Sequence, residues 1–262
     1  MRVLQDAWAY LTTAASWTGD GGMLELLLQQ LLLTVTALGL AAALGLPVAL
    51  WLGHLGRGGF LAINISNIGR AVPTFALLAL LVTADAWGWT QGWFPGVREA
   101  GPYGRAGLAT LVALTLFALP PIITNAYVAV REVPADVRQA ADGMGMTGLQ
   151  KFRRVELPLA TPLVVSGLRL ALVQVWATAT IAALVAGPGL GRVITDGFVR
   201  NQYGQGIAGA VVVAVVALLL ELVAALAQRL TTPPGSPGAR PTGRPRRSGG
   251  APASVAAPTV SS

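Results

Sequence analysis

The sequence predicts an all-α fold, a polytopic membrane bundle of about five transmembrane helices with a helix-turn-helix loop on one face. Three observations carry this. Hydrophobic residues make up 54% of the 262 and charged residues only 11%, whereas a soluble domain carries about 25% charged residues. Five apolar runs, at about 24–53, 63–84, 106–130, 159–186 and 207–230, reach the roughly 20 helical residues that a bilayer core requires. Such runs exceed the roughly ten residues of a barrel strand, and a segment in hydrocarbon must satisfy its own backbone groups, so each is read as a helix.

The elements follow in order. Residues 1–23 hold Arg2, Asp6, Trp8, Trp17 and Asp20 and no apolar core ending in small residues. They are expected to form an extracytoplasmic or interfacial segment rather than a cleaved signal, with the first span as the uncleaved signal. Residues 24–230 form the membrane domain. Within it Pro47, Pro73, Pro120, Pro121, Pro162 and Pro188 are expected to kink or end helices. The loop from Asp85 to Gly104 gathers Trp87, Trp89, Trp93, Phe94 and Tyr103, a group suited to the membrane interface. Residues 231–262 are Pro, Gly, Ser and Arg with hardly any large apolar residue; they cannot bury a core and are expected to be a disordered tail. Its basic stretch from Arg240 to Arg247 suits anionic lipid as well as it suits solvent.

Charge sets the expected orientation, because Arg and Lys accumulate in cytoplasmic loops. One side collects Arg57, Arg70, Arg131, Arg138, Lys151, Arg153, Arg154, Arg229, Arg240, Arg244, Arg246 and Arg247; the other has Arg2, Arg98, Arg105, Arg192 and Arg200. That split places the N-terminus outside and the C-terminus in the cytoplasm of a plasma-membrane protein. The net charge of +7 is therefore mostly topological, and nucleic acid is not an expected partner. There is no Cys and one His, His54, which excludes a thiol nucleophile and leaves no multi-histidine metal site within one chain. An embedded enzyme would need convergent acids and bases, but Asp85, Asp142, Glu156, Asp196 and Glu221 fall at scattered depths, so no catalytic residue is expected.

The most informative segment is the loop at 131–158, on the expected cytoplasmic side. Pro134 and Asp136 start a helix in which Val137, Ala140, Ala141 and Met144 recur at spacings of three and four. Gly143 and Gly145 are expected to end it, Thr147 to cap a second helix bearing Leu149, Phe152 and Val155 on one face, and the chain to re-enter the membrane at Leu157 and Pro158. Small residues allow close approach, so the unit suits a partner's cleft; an ordinary interfacial hairpin is the alternative on these grounds alone.

Set against the pattern E-A-A, three residues, G, nine residues, I, one residue, L-P, the chain supplies Ala140 and Ala141, Gly145, Val155, Leu157 and Pro158 in register. This resembles the loop by which permease subunits of binding-protein-dependent ABC importers dock on their ATPase. The resemblance implies an ATPase-coupling role for Gln139, Ala140, Ala141, Gly143, Gly145, Met146, Phe152, Val155, Leu157 and Pro158. Gln139 stands where the pattern has Glu, keeping hydrogen-bonding capacity without the charge. Over about 10–232 the chain is most similar to osmoprotectant permeases, those for glycine betaine, choline, carnitine or proline betaine. The similarity rests on GMGMTGLQKFRRVELPLATPLVVSGLRLALVQ at 143–174, GPGLGRVITDG at 187–197 and YGQGIAGAVVVAVVALLLELVAALAQRL at 203–230, with HLGRG at 54–58 and GRAVPTFALLAL at 69–80.

The resemblance implies a MetI-like importer subunit, paired with a second permease subunit, identical or related, two cytoplasmic ABC ATPase subunits and an extracytoplasmic substrate-binding protein. The chain lacks the phosphate-binding pattern G-x4-G-K-[ST], so ATP would be bound by the partner and no cofactor by this subunit. A permease for another small solute, an amino acid or an oxyanion, is the alternative. Polar groups within the spans mark a candidate translocation path: Asn125, Arg169, Gln174, Trp176, Thr178 and Glu221. Arg169 and Glu221 fall at similar depth and are expected to face each other or share a polar network, the alternative being that Arg169 snorkels and Glu221 sits near the interface. Trp176 has an aromatic face that suits a quaternary ammonium group, although helix packing is its more ordinary use.

Overall fold

The computed structural model describes residues 2–60, 64, 71–84, 88 and 101–231, and every regular element among them is helical. Helix α1 (Arg2–Thr12) and the short α2 (Ala14–Trp17) precede α3 (Met23–Leu55), α4 (Thr74–Ala84) and α5 (Arg105–Arg131). Then come α6 (Ala135–Gly143), α7 (Gly148–Lys151), a π-helical turn (Phe152–Glu156), α8 (Leu157–Ile181), a 3-10 turn (Ala182–Val185), α9 (Gly191–Val199) and α10 (Tyr203–Thr231).

Among the described residues four helices are long and apolar enough to cross a membrane: Met23–Leu55, Arg105–Arg131, Gly148–Val185 and Tyr203–Leu230. Of the fifth expected run, 63–84, the structure describes residues 64 and 71–84, and within it α4 covers Thr74–Ala84, an apolar helix of 11 residues. Residues 65–70, within that run, lie outside the described residues, as do most of the aromatic outer loop and all of the tail from 232.

The bundle packs through small side chains. Along α3 the buried face reads Leu33, Ala37, Ala41, Gly45, Ala49 and Gly53, one residue every fourth position. In lipid, helices gain nothing by escaping water and associate through close van der Waals contact, which small residues permit. A β-carbon at Gly53 would lie 2.9 Å from Val130 Cβ, and one at Gly167 on α8 would lie 2.5 Å from Asn125 Cβ on α5. Helices α3, α5 and α8 therefore share one core, built from Leu33, Ala37, Ala41, Leu114, Ala118, Ile122, Ala171, Val175 and Ala179. Pro47, Pro120, Pro121 and Pro162 lie inside helices rather than ending them.

At the other end of α3, Met23 and Leu26 meet Trp176, Leu190, Val193 and Val212, with Tyr10, Leu11 and Trp17 packed around them. Residues 2–17 are thus folded onto the bundle, α1 lying against α10. Burial, reinforced by the Asp196 carboxylate, raises the Tyr10 phenol above its ordinary value of 10.0. Leu218, Leu219, Leu222 and Val223 of α10 are exposed in the chain, as a lipid-facing helix requires.

One buried amide ties three elements together. Gln30, with no exposed surface, donates to Trp176 O at 3.3 Å and to Thr180 Oγ1 at 2.9 Å, and accepts from Leu190 N at 2.9 Å. Gln30→Leu would keep the volume and strand the Leu190 N–H, costing about 1–3 kcal/mol. A lowered unfolding midpoint of the purified subunit in detergent is the expected result.

Candidate functional site

The loop is a helix-turn-helix whose turn follows from its sequence. Helix α6 ends in a Schellman arrangement: Met146 N donates to Ala141 O at 3.2 Å and Gly145 N to Asp142 O at 3.0 Å. Gly145 supplies the left-handed residue, at φ +72°, a region that glycine enters without a β-carbon clash. Gly143 does not share the task; it is the last residue of α6. Thr147 then caps α7 through a reciprocal capping box, its hydroxyl accepting from Gln150 N at 3.4 Å while Gln150 Oε1 accepts from Thr147 N at 2.9 Å. Lys151 Nζ to Asp142 Oδ1, at 2.7 Å, joins the two arms at the surface.

Membrane re-entry at Leu157 and Pro158 takes a form the sequence did not disclose. The helix is continuous from Gly148 to Val185, and the π turn carries it past the proline: Leu157 N bonds Phe152 O, five residues back. Proline lacks an N–H for an ordinary helical bond, and a locally widened turn accommodates that loss. Within the loop Ala141 is buried, at 1% exposure, with Gln139 and Ala140 on the more open side of α6. Met144 and Leu149 stand out at 68% and 51% exposure. Two apolar side chains thus stand exposed at the tip of a polar loop.

The loop is also held to the bundle from behind. Glu156, 1% exposed, accepts from His54 Nδ1 on α3 at 2.5 Å, and Arg138 Nε on α6 lies 3.7 Å from its other oxygen. Arg138 Nη2 donates to Val130 O at 2.5 Å and to Arg131 O at 3.0 Å, closing the C-terminus of α5. The His54 ring lies 5.2 Å from that of Phe152. The sequence offers no sign that His54 and Glu156 meet; 102 residues separate them, and no spacing rule reaches that far.

The intramembrane polar residues divide into four groups. Arg169 and Glu221 face each other, with Arg169 Nε donating to Glu221 Oε1 at 2.8 Å and Arg169 Nη1 to Gln228 Oε1 at 2.9 Å. Trp176 and Thr178 are buried in the chain's own core, Trp176 Nε1 donating to Val213 O at 3.1 Å; Trp176 therefore serves packing and offers no open face to a cation. Asn125 sits at the α5–α8 crossing, its amide donating to Pro121 O at 2.7 Å. Gln174 lines a cavity, about 330 Å³, with Val72, Pro73, Thr74, Phe117, Pro120 and Pro121. Two consecutive prolines in α5 leave the Leu116 and Phe117 carbonyls without their ordinary helical donors. Phe117, Pro120 and Pro121 all line this cavity, which therefore sits where α5 lacks ordinary helical hydrogen bonds, a feature sequence reasoning missed although Pro120 and Pro121 carried the signal.

Known proteins are similar to this chain in sequence and in fold. Residues 41–233 match the family described as binding-protein-dependent transport system inner membrane component. The osmoprotectant import permease protein OsmY of Salmonella typhimurium is 32% identical over 78% of this chain and 80% of its own length. The choline transport system permease protein OpuBB of Bacillus subtilis is 29% identical over 83% of this chain and 92% of its own. Among solved structures, the inward-facing MetNI methionine ABC transporter superposes with a TM-score of 0.62 at 23% identity, covering 79% of this chain and 94% of that one. At that identity the likeness is one of fold.

Proposed function

The chain belongs to the binding-protein-dependent transport system inner membrane component family, and from that membership we propose that it is the permease subunit of an importer for osmoprotectants. The cargo is a small quaternary ammonium solute: glycine betaine, choline, carnitine or a relative. Cytoplasmic ABC ATPases bind ATP and press on residues 136–156; a second permease subunit, identical or related, completes the path; an extracytoplasmic binding protein delivers the solute. The N-terminus lies outside and the tail from 231 in the cytoplasm, a reading supported by the distribution of Arg and Lys. The subunit itself is non-catalytic and holds no cofactor.

The observation that carries the coupling role is the loop itself. A Schellman turn at Gly145, a capping box at Thr147 and a helix running unbroken into a span make a rigid lever. Its exposed tip, Met144 and Leu149, provides the contact. Force applied there has a continuous helical route into α8. The names of the similar permeases support the quaternary ammonium cargo.

The test is reconstitution of the subunit in proteoliposomes with its ATPase and its binding protein. Binding protein loaded with glycine betaine or choline is expected to raise ATP hydrolysis and drive solute accumulation inside the vesicles. Stimulation by an amino acid or oxyanion instead, with no response to quaternary ammonium solutes, would replace this cargo with the alternative.

A further inference from the structure

We propose that Glu156 is a positioning residue that clamps the coupling loop to α3, so that the loop drives α3 together with α8. The proposal rests on the coupling role proposed above. By covalent connection alone the loop joins only α5 and α8, through residues 131–158; α3 has no chain link to it. Yet the inner end of α3 carries His54, and three residues of the loop's second arm converge on it. His54 Nδ1 donates to Glu156 at 2.5 Å, the rings of His54 and Phe152 are 5.2 Å apart, and Gly148 leaves room such that a β-carbon there would lie 3.6 Å from His54 Nε2. Gly148, Phe152 and Glu156 recur every fourth residue, so one face of the arm is fitted to one side chain.

The first arm is tied in at the same carboxylate. Arg138 of α6 lies 3.7 Å from Glu156 and at once holds the last carbonyls of α5. One buried carboxylate thus touches groups from α3 and α6 and, through Arg138, the end of α5. A carboxylate 1% exposed has to be paired by partners brought to it, which makes the four-way junction the condition of its burial rather than an accident of packing. Gly56, at φ +67°, ends α3 two residues after His54 in a Schellman arrangement of its own. The clamp therefore holds the terminal turn of α3, where the leverage on that helix is greatest.

The test measures solute moved per ATP hydrolysed in the reconstituted complex for Glu156→Gln and His54→Phe. Glu156→Gln keeps the shape and removes the charge; His54→Phe keeps a ring against Phe152 and removes the hydrogen bond. Both are expected to retain binding-protein-stimulated ATP hydrolysis while solute moved per ATP falls about ten-fold, and His54→Asn, which restores a donor, to recover part of it. An equal fall in hydrolysis and uptake, or an unchanged ratio, overturns the clamp.

A second arm does not depend on the cargo. Because the chain has no Cys, nitroxides introduced at Leu55→Cys and Met144→Cys report the distance from α3 to the loop tip in the full-length permease. The distribution is expected to be narrow with Glu156 and to broaden in Glu156→Gln. If the wild-type complex moves no quaternary ammonium solute, the cargo assignment falls and this distance decides the clamp; an unbroadened distribution overturns it.

Discussion

Gly145→Pro is expected to abolish uptake while leaving membrane insertion and yield unchanged. The native turn has φ +72° at this residue, and proline is confined to φ near −65°, so the substituted chain cannot form the turn. It also loses the Gly145 N–H to Asp142 O bond that helps close the end of α6. A β-carbon at this position would meet nothing within 4 Å, so the damage is conformational and confined to the loop. Gly145→Ala isolates the left-handed penalty, about 1–2 kcal/mol, and is expected to reduce uptake without ending it. Ala141→Arg approaches the same lever by another route, forcing a long charged side chain into a site 1% exposed on α6. Uptake of labelled solute beside a quantitative blot of the membrane fraction checks all three. Normal uptake in Gly145→Pro and Ala141→Arg together would remove the coupling role from the loop.

Breaking the Arg169–Glu221 pair from one side is expected to deplete folded permease, whereas removing both charges together is expected to restore it. The pair joins α8 to α10 within the membrane domain, and Gln228 completes the arginine's contacts. An ionised group left alone in a span must be neutralised, snorkel to the interface or draw in water, each at the expense of the packed bundle. Glu221→Leu and Arg169→Leu should each lower the yield of monodisperse protein several-fold. The double leucine variant should lie close to wild type in yield, since removing both partners of an ion pair strands neither. Its uptake then separates a purely structural pair from one the path requires. Equal yields for the single and double variants would show that the two charges are independent.

The helical class and the ends of the long helices were legible because hydrophobic length is a local property. The expected runs 24–53, 106–130 and 207–230 differ by only a few residues from Met23–Leu55, Arg105–Arg131 and Tyr203–Thr231. The loop's turn was legible for the same reason: Gly145 and Thr147 act within four residues of themselves. The helix ends at Gly143 as expected, but the hydrogen bonds to Ala141 and Asp142 assign the left-handed position to Gly145 alone. The small-residue stripe from Ala37 to Gly53 was also present in the sequence, as a period of four, although hydropathy alone does not separate it from its lipid-facing neighbours.

The sequence by itself determined that this is a membrane bundle with a charged, capped helix-turn-helix between two spans, because bilayer length, glycine dihedrals and capping geometry act over a few turns of chain. Apart from Arg169 and Glu221, whose similar depth is legible in the sequence, only the tertiary structure decided which polar residues meet. Hydropathy specifies that a helix lies in the membrane and says nothing of its rotation, which is set by how Gly45, Gly53 and Gly167 let neighbouring helices approach. That rotation buried Trp176, left Gln174 at a cavity wall and joined Arg169 to Glu221. It also brought His54 and Arg138 to the same carboxylate at the root of the loop.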